Sequence, residues 1–111
     1  MRYMCLVYPT EEFGPSPEQV REFVAFRKEA LDAGVYLEAG RLRPAETATT
    51  VRDRRGEVVL TDGPFAEIKE QLGGFVLLEC RDLDDALTWA QRIPGLRDGA
   101  VEVRPMVEFP R

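Results

Sequence analysis

Histidine does not occur anywhere in the 111 residues. That absence excludes nucleophilic systems of the Ser-His-Asp and Cys-His kinds and removes the commonest metal ligand. Cysteine occurs only as Cys5 and Cys80, isolated from each other in apolar stretches and without the paired spacing of a zinc site. A secreted disulfide framework would be denser, so both thiols read as packing residues in a reducing, cytoplasmic protein. Glycine never takes the G-x-G-x-x-G spacing of a nucleotide loop, since Gly73-Gly74 stands as a bare pair. No apolar run reaches the length of a membrane span, and the short one before Pro9 lacks a signal-peptide layout. Positive charge is in deficit, with 15 Lys and Arg against 20 Asp and Glu for a net charge of −5. That sign argues against a nucleic-acid partner, whose phosphates demand a basic face, and no aromatic platform for RNA is evident. Metal and cofactor chemistry are not expected.

What is present fits one domain, residues 1–111, large enough to need no covalent staple. The stretch from Tyr3 to Tyr8 is apolar on both faces of a strand, Tyr3, Cys5 and Val7 on one and Met4, Leu6 and Tyr8 on the other. Pro9-Thr10 ends it, and a loop through Gly14-Pro15 leads to a helix with Ser16 as N-cap, Pro17 at the first position and Gln19 completing a capping box. That helix runs to about Ala33 and stops at Gly34. Val20, Phe23, Val24, Phe26, Ala30 and Leu31 form its apolar arc, with Arg27 inside the arc as a snorkelling side chain or an anion contact. A second strand follows from Val35 to Leu42. Thr47–Arg52 and Glu57–Thr61 then make a hairpin around Asp53-Arg54-Arg55-Gly56, with Gly56 supplying the positive φ. Arg41, Arg43, Arg52, Arg54 and Arg55 gather positive charge there, which suits either an anionic ligand or solvated strand edges.

Phe75–Cys80 repeats the doubly apolar character of the first strand. Asp82 caps a second helix whose buried stripe reads as Leu83, Ala86, Leu87, Ala90 and Ile93, stopped by Pro94-Gly95, with Trp89 at its edge. After a turn at Arg97-Asp98-Gly99, Ala100–Val107 is the last strand, with Val101 and Val103 opposite Glu102, Arg104 and Met106. The order strand, helix, strand, hairpin, strand, helix, strand predicts an α+β, ferredoxin-like split βαβ sandwich with an added β-hairpin. Two helices cover one face of such a sheet. The doubly apolar strands therefore predict a homodimer in which a second copy covers the other face.

Between the hairpin and the fourth main strand lies the densest polar grouping, Thr61-Asp62-Gly63-Pro64-Phe65-Ala66-Glu67-Ile68-Lys69-Glu70-Gln71-Leu72-Gly73-Gly74-Phe75. Asp62-Gly63 is a turn dipeptide, Pro64 fixes the exit path, Ala66–Gln71 has room for one or two helical turns, and Gly73-Gly74 admits a close-packed strand. These residues, with Tyr3-Met4, Ala33-Gly34, Leu42-Arg43-Pro44, Trp89-Ala90 and Glu102-Val103-Arg104-Pro105, resemble the DGPF-type branch of the YCII-related family over nearly the whole chain. The resemblance implies a homodimeric α/β barrel with the sheets facing each other, but assigns no reaction or substrate. Better-studied members of that family have a His–Asp pair, and without histidine such a mechanism does not carry over here.

Carboxylate, ammonium and guanidinium chemistry remains. Asp62 is the candidate general base, or else a cap for its own turn. Lys69 and Arg104 are candidates for holding an anionic ligand or stabilising an enolate, with Tyr8 as a hydrogen-bond donor and Arg43, Phe65 and Glu70 as further candidate ligand contacts. Two functions fit: a cofactor-free enzyme, of proton-transfer isomerase or lyase type, acting on an anionic metabolite; or a non-catalytic, dimeric ligand-binding or regulatory module. A small anion held by Asp62, Lys69 and Arg104 in a closed pocket would favour the first, and a solvent-open Asp62 bonded only to its own loop the second.

Overall fold

Residues 1–10 and 16–110 are described by the computed structural model, and the loop expected at Gly14-Pro15 lies outside them. In chain order the elements are β1 (Arg2–Tyr8), α1 (Pro17–Asp32), β2 (Tyr36–Arg41), β3 (Thr49–Arg54), β4 (Glu57–Asp62), β5 (Gly74–Glu79), α2 (Leu83–Ala90) and β6 (Ala100–Pro105), with a 3₁₀ turn at Ala45–Thr47. Four strands form one antiparallel sheet in the order β2-β5-β1-β6, while β3 and β4 pair only with each other. This mixed α+β arrangement is compatible with a ferredoxin-like fold carrying an added hairpin.

The alternation along β1 explains where the core sits. Tyr3, Cys5 and Val7 are buried beneath the helices with Val76, Leu78 and Cys80, while Met4, Leu6 and Tyr8 are only half-buried on the opposite face. Phe75 and Leu77 share that second face with them, through the pairings Leu6↔Phe75 and Met4↔Leu77. Side chains alternate along a strand, so a layer of helices on one side leaves the other set uncovered.

α1 opens as the sequence predicts. Ser16 Oγ accepts from the Gln19 backbone N–H at 3.2 Å, and Gln19 Oε1 accepts from the Ser16 N–H at 2.9 Å. It closes on Gly34, whose φ is +75°. The expected apolar arc is narrower than its composition suggested. Phe26 and Ala30 are buried and Phe23 packs beside them, but Val20, Val24 and Leu31 are exposed. At ~100° per residue these three lie about a quarter turn or more around the helix from the buried stripe. Arg27 reaches over the Tyr36 ring, 5.4 Å from its centroid.

Asp82 Oδ1 accepts from the Asp85 N–H at 2.9 Å and caps α2. Ala86, Ala90 and Ile93 are buried, but Leu83 and Leu87 are exposed, contrary to the expected stripe. The two alanines let the helix lie close to the sheet, which leaves the flanking leucines at the rim. Trp89 meets Phe26 edge-on at 6.2 Å, and Arg92 lies over Trp89 while pairing with Glu29, so the two helices are tied at one point.

The Gly73-Gly74 pair brings β5 against its neighbours. A Cβ on Gly74 would stand 2.7 Å from the Gly40 carbonyl oxygen, and one on Gly73 2.6 Å from the Pro9 ring. Gly74→Ala should therefore destabilise the protein by about 1–3 kcal/mol through overpacking of the β2–β5 contact, read as a lower thermal midpoint. An unchanged midpoint would show that the edge strand yields freely.

Candidate functional site

The hairpin presents the central polar stretch. β3 and β4 are joined through Arg55 (φ +54°) and Gly56 (φ +87°), the two positive values of a type I′ turn. The sequence pointed to Gly56 alone. Asp53 Oδ1 steadies the turn by accepting from the Gly56 N–H at 2.7 Å.

At the other end of β4 the chain turns at Gly63, whose φ is +102°. No atom lies within 4 Å of a would-be Cβ there, so conformation alone selects glycine. Two bonds hold the turn: the Gly63 N–H donates to the Ala48 carbonyl at 2.7 Å, and the Thr50 hydroxyl donates to the Gly63 carbonyl at 2.8 Å. The Asp62 side chain takes no part in this. It is exposed and makes no hydrogen bond or ion pair among the described residues.

Beyond Pro64 the expected helical turns at Ala66–Gln71 do not form. Gln71 Nε2 instead donates to the carbonyls of Ala66 and Ile68, so a side chain closes the loop in place of a backbone ladder. Folded this way, the loop and the 3₁₀ turn enclose an open groove of about 560 Å³, lined by Glu46, Asp62, Glu67, Ile68 and Lys69 among others.

Of the residues singled out from sequence, Asp62 and Lys69 thus share one groove. Tyr8, Arg43, Phe65, Glu70 and Arg104 are not among its lining residues. Phe65 is 75% exposed and carries the Arg52 guanidinium 5.4 Å from its ring centroid. Arg43 and Glu70 are exposed. Tyr8 and Arg104 both belong to the uncovered sheet face, but Tyr8 lies opposite Ala100 and Arg104 opposite Met4. They are separated by about 13 Å at ~3.3 Å per residue. Arg104 Nε stands 3.7 Å from Glu102 Oε2. Glu46 joins the groove from a 3₁₀ turn that no sequence signal marked.

The groove's charge is three carboxylates, Glu46, Asp62 and Glu67, against the Lys69 ammonium. No group of three or more His, Cys, Asp or Glu among the described residues is placed to hold a metal ion. Neither thiol lines the groove. Burial pushes both Cys5 and Cys80 up to about 11, so they remain protonated thiols at neutral pH. No helix among the described residues is long and apolar enough to cross a membrane.

A family model for the YCII-related domain matches residues 1–110. The chain belongs to the YCII-related family. It is also 40% identical over 92 residues to an uncharacterised protein of Rhizobium meliloti (strain 1021), a match that covers 81% of this chain and 74% of that relative.

Two measurements follow from this geometry. Gly63→Val should cost about 1–3 kcal/mol by forcing a β-branched residue to positive φ, and thermal unfolding identical to the parent protein would show that the turn is not strained. A maleimide-type thiol reagent at pH 8 should label neither cysteine in the folded protein and both after denaturation. Rapid labelling of the native state would contradict their burial.

Proposed function

We propose that this YCII-related protein is a homodimeric ligand-binding module of the DGPF-type branch, with a small molecule held in the groove between Asp62 and Lys69. The observation that carries the reading is the unpaired, solvent-open Asp62 carboxylate in a groove with a single ammonium. Burial and neighbouring charges are what tune a carboxylate for general-base work near neutral pH, and an open groove supports binding over proton-transfer catalysis. Glu46, Asp62 and Glu67 outnumber Lys69, so a ligand bearing a cationic as well as an anionic group fits better than the simple anion the sequence suggested.

The uncovered strip of Met4, Leu6, Tyr8, Phe75 and Leu77 supports the dimer. Pairing it with the same strip on a second copy would bury half-exposed apolar surface and produce the facing-sheet α/β barrel. The Asp62-Gly63-Pro64-Phe65 run supports the DGPF-type assignment.

The experiment has two arms. Sedimentation equilibrium should give a dimer for the wild type and a folded monomer for Leu77→Asp; a wild-type monomer of 12.6 kDa at micromolar concentration would remove the assembly. Calorimetric screening of amino-acid-like zwitterions, amines, carboxylates and phosphates should find ligands whose affinity falls at least about tenfold in Asp62→Asn, roughly the 1.4 kcal/mol expected of one charge-assisted bond. Equal binding to both proteins would take Asp62 out of the site.

A further inference from the structure

The main sheet ends in two open edges, β2 and β6. The register of β2 against β5 shifts between Tyr36 and Glu38, whereas β6 runs beside β1 without a break from Ala100 to Pro105. A shift of that kind bends an edge away from further pairing, so β6 is the more regular of the two. One bond fixes its open side. The Met106 N–H donates to the Arg2 carbonyl at 2.9 Å, and backbone groups alternate in direction along a strand. Glu102 and Arg104 therefore turn their N–H and C=O groups to β1. Val101 and Val103 turn both groups outward, where no backbone partner among the described residues meets them. Pro105 also points outward, and its missing donor falls where an edge strand tolerates proline.

Charged side chains commonly guard such an edge, because an identical strand brought against it sets like charges opposite one another. β6 is arranged the other way. Glu102 and Arg104 flank Val103 on the uncovered face, with side chains 52% and 70% exposed. Their own contact, Nε to Oε2 at 3.7 Å, is too long for a hydrogen bond. When two copies of β6 run antiparallel about a two-fold axis at Val103, Glu102 of each lies opposite Arg104 of the other. Val103 then meets Val103 and Val101 meets Pro105, so the apolar residues match as well. An axis at Glu102 or at Arg104 would instead oppose identical charges. In the matched register the Val103 pair exchanges both of its N–H to C=O bonds, and each Val101 N–H finds a Pro105 carbonyl.

Charge order thus selects the occupant, a strand of the same sequence. We infer that β6 is a self-pairing edge, joining two copies of the chain antiparallel about Val103. The two-fold of an antiparallel pair stands perpendicular to the sheet, so both copies keep their helices on one side and their uncovered faces on the other. Curled toward each other, those faces close one seam of the barrel. The inference rests on the homodimer proposed above and adds where its axis lies and which strands set its register.

Sedimentation equilibrium and amide hydrogen exchange on the full chain test it. Glu102→Arg alone and Arg104→Glu alone each set like charges opposite one another at both contacts, and each should weaken the dimer by at least about tenfold. An equimolar mixture of the two variants restores opposite charges across the axis and should associate within about threefold of wild type. An ion pair confined to one chain gives no such rescue. The Val103 amide should exchange slowly in the wild-type dimer and quickly in Leu77→Asp, where the edge is open to water. Free exchange at Val103 in a wild-type dimer, or single reversals that associate like wild type, overturns the edge pairing; the sheet-face dimer stands if Leu77→Asp still dissociates it. A wild type that is monomeric at all concentrations overturns both.

Discussion

A central pair of strands that is apolar on both faces, with helices available for only one, is the constraint on which the rest of the structure depends. β1 and β5 bury Tyr3, Cys5, Val7, Val76 and Leu78 beneath Phe26, Ala30, Ala86, Ala90 and Ile93. Each aliphatic or aromatic side chain fully removed from water contributes about 1.5–3 kcal/mol, so this one layer supplies most of what orders the chain. The same strands must then offer Met4, Leu6, Phe75 and Leu77 to the other side. Side chains alternate along a strand, so residues that fill the core on one side place their neighbours on the other.

The groove sits outside that layer. It is built on the excursion between β2 and β5, where the chain leaves the sheet, forms its own hairpin and returns through Gly73-Gly74. Little apolar surface is buried along this path, so its shape rests on a few directed contacts: the bond from the Gly63 N–H to Ala48, that from the Thr50 hydroxyl to Gly63, and those from Gln71 to Ala66 and Ile68. Polar groups held in this way keep their charges for a ligand, as loops carried by a rigid scaffold commonly do. Asp62 illustrates this, because backbone groups hold its turn and leave the carboxylate unengaged.

Capping signals and most turn signals are legible in the sequence because the groups that satisfy them are close in the chain. The capping box at Ser16, the stop at Gly34, the cap at Asp82 and the turn at Asp98 involve residues within a few positions of each other, and each formed where its sequence pattern placed it. Apolar patterning was less reliable. Val20, Val24, Leu31, Leu83 and Leu87 are hydrophobic at helical spacing yet exposed. Periodicity tells which residues share a helix face, but not how wide a strip the neighbouring sheet touches. The loop at Ala66–Gln71 failed for a related reason, since the Gln71 amide offered its carbonyls a competing partner that a propensity argument does not count.

By itself the sequence determined the element order, the α+β class, the doubly apolar central strands and the turn that displays Asp62. Each depends on alternation, capping or backbone preference, which act over a few residues. Only the tertiary structure decided which polar residues meet. Lys69 and Glu46 reach the groove of Asp62 because the loop and the 3₁₀ turn fold toward each other, whereas Arg104 is fixed by strand register beside Glu102 and opposite Met4. Register and loop closure depend on contacts between residues far apart in the chain, and these exist only once the sheet has assembled.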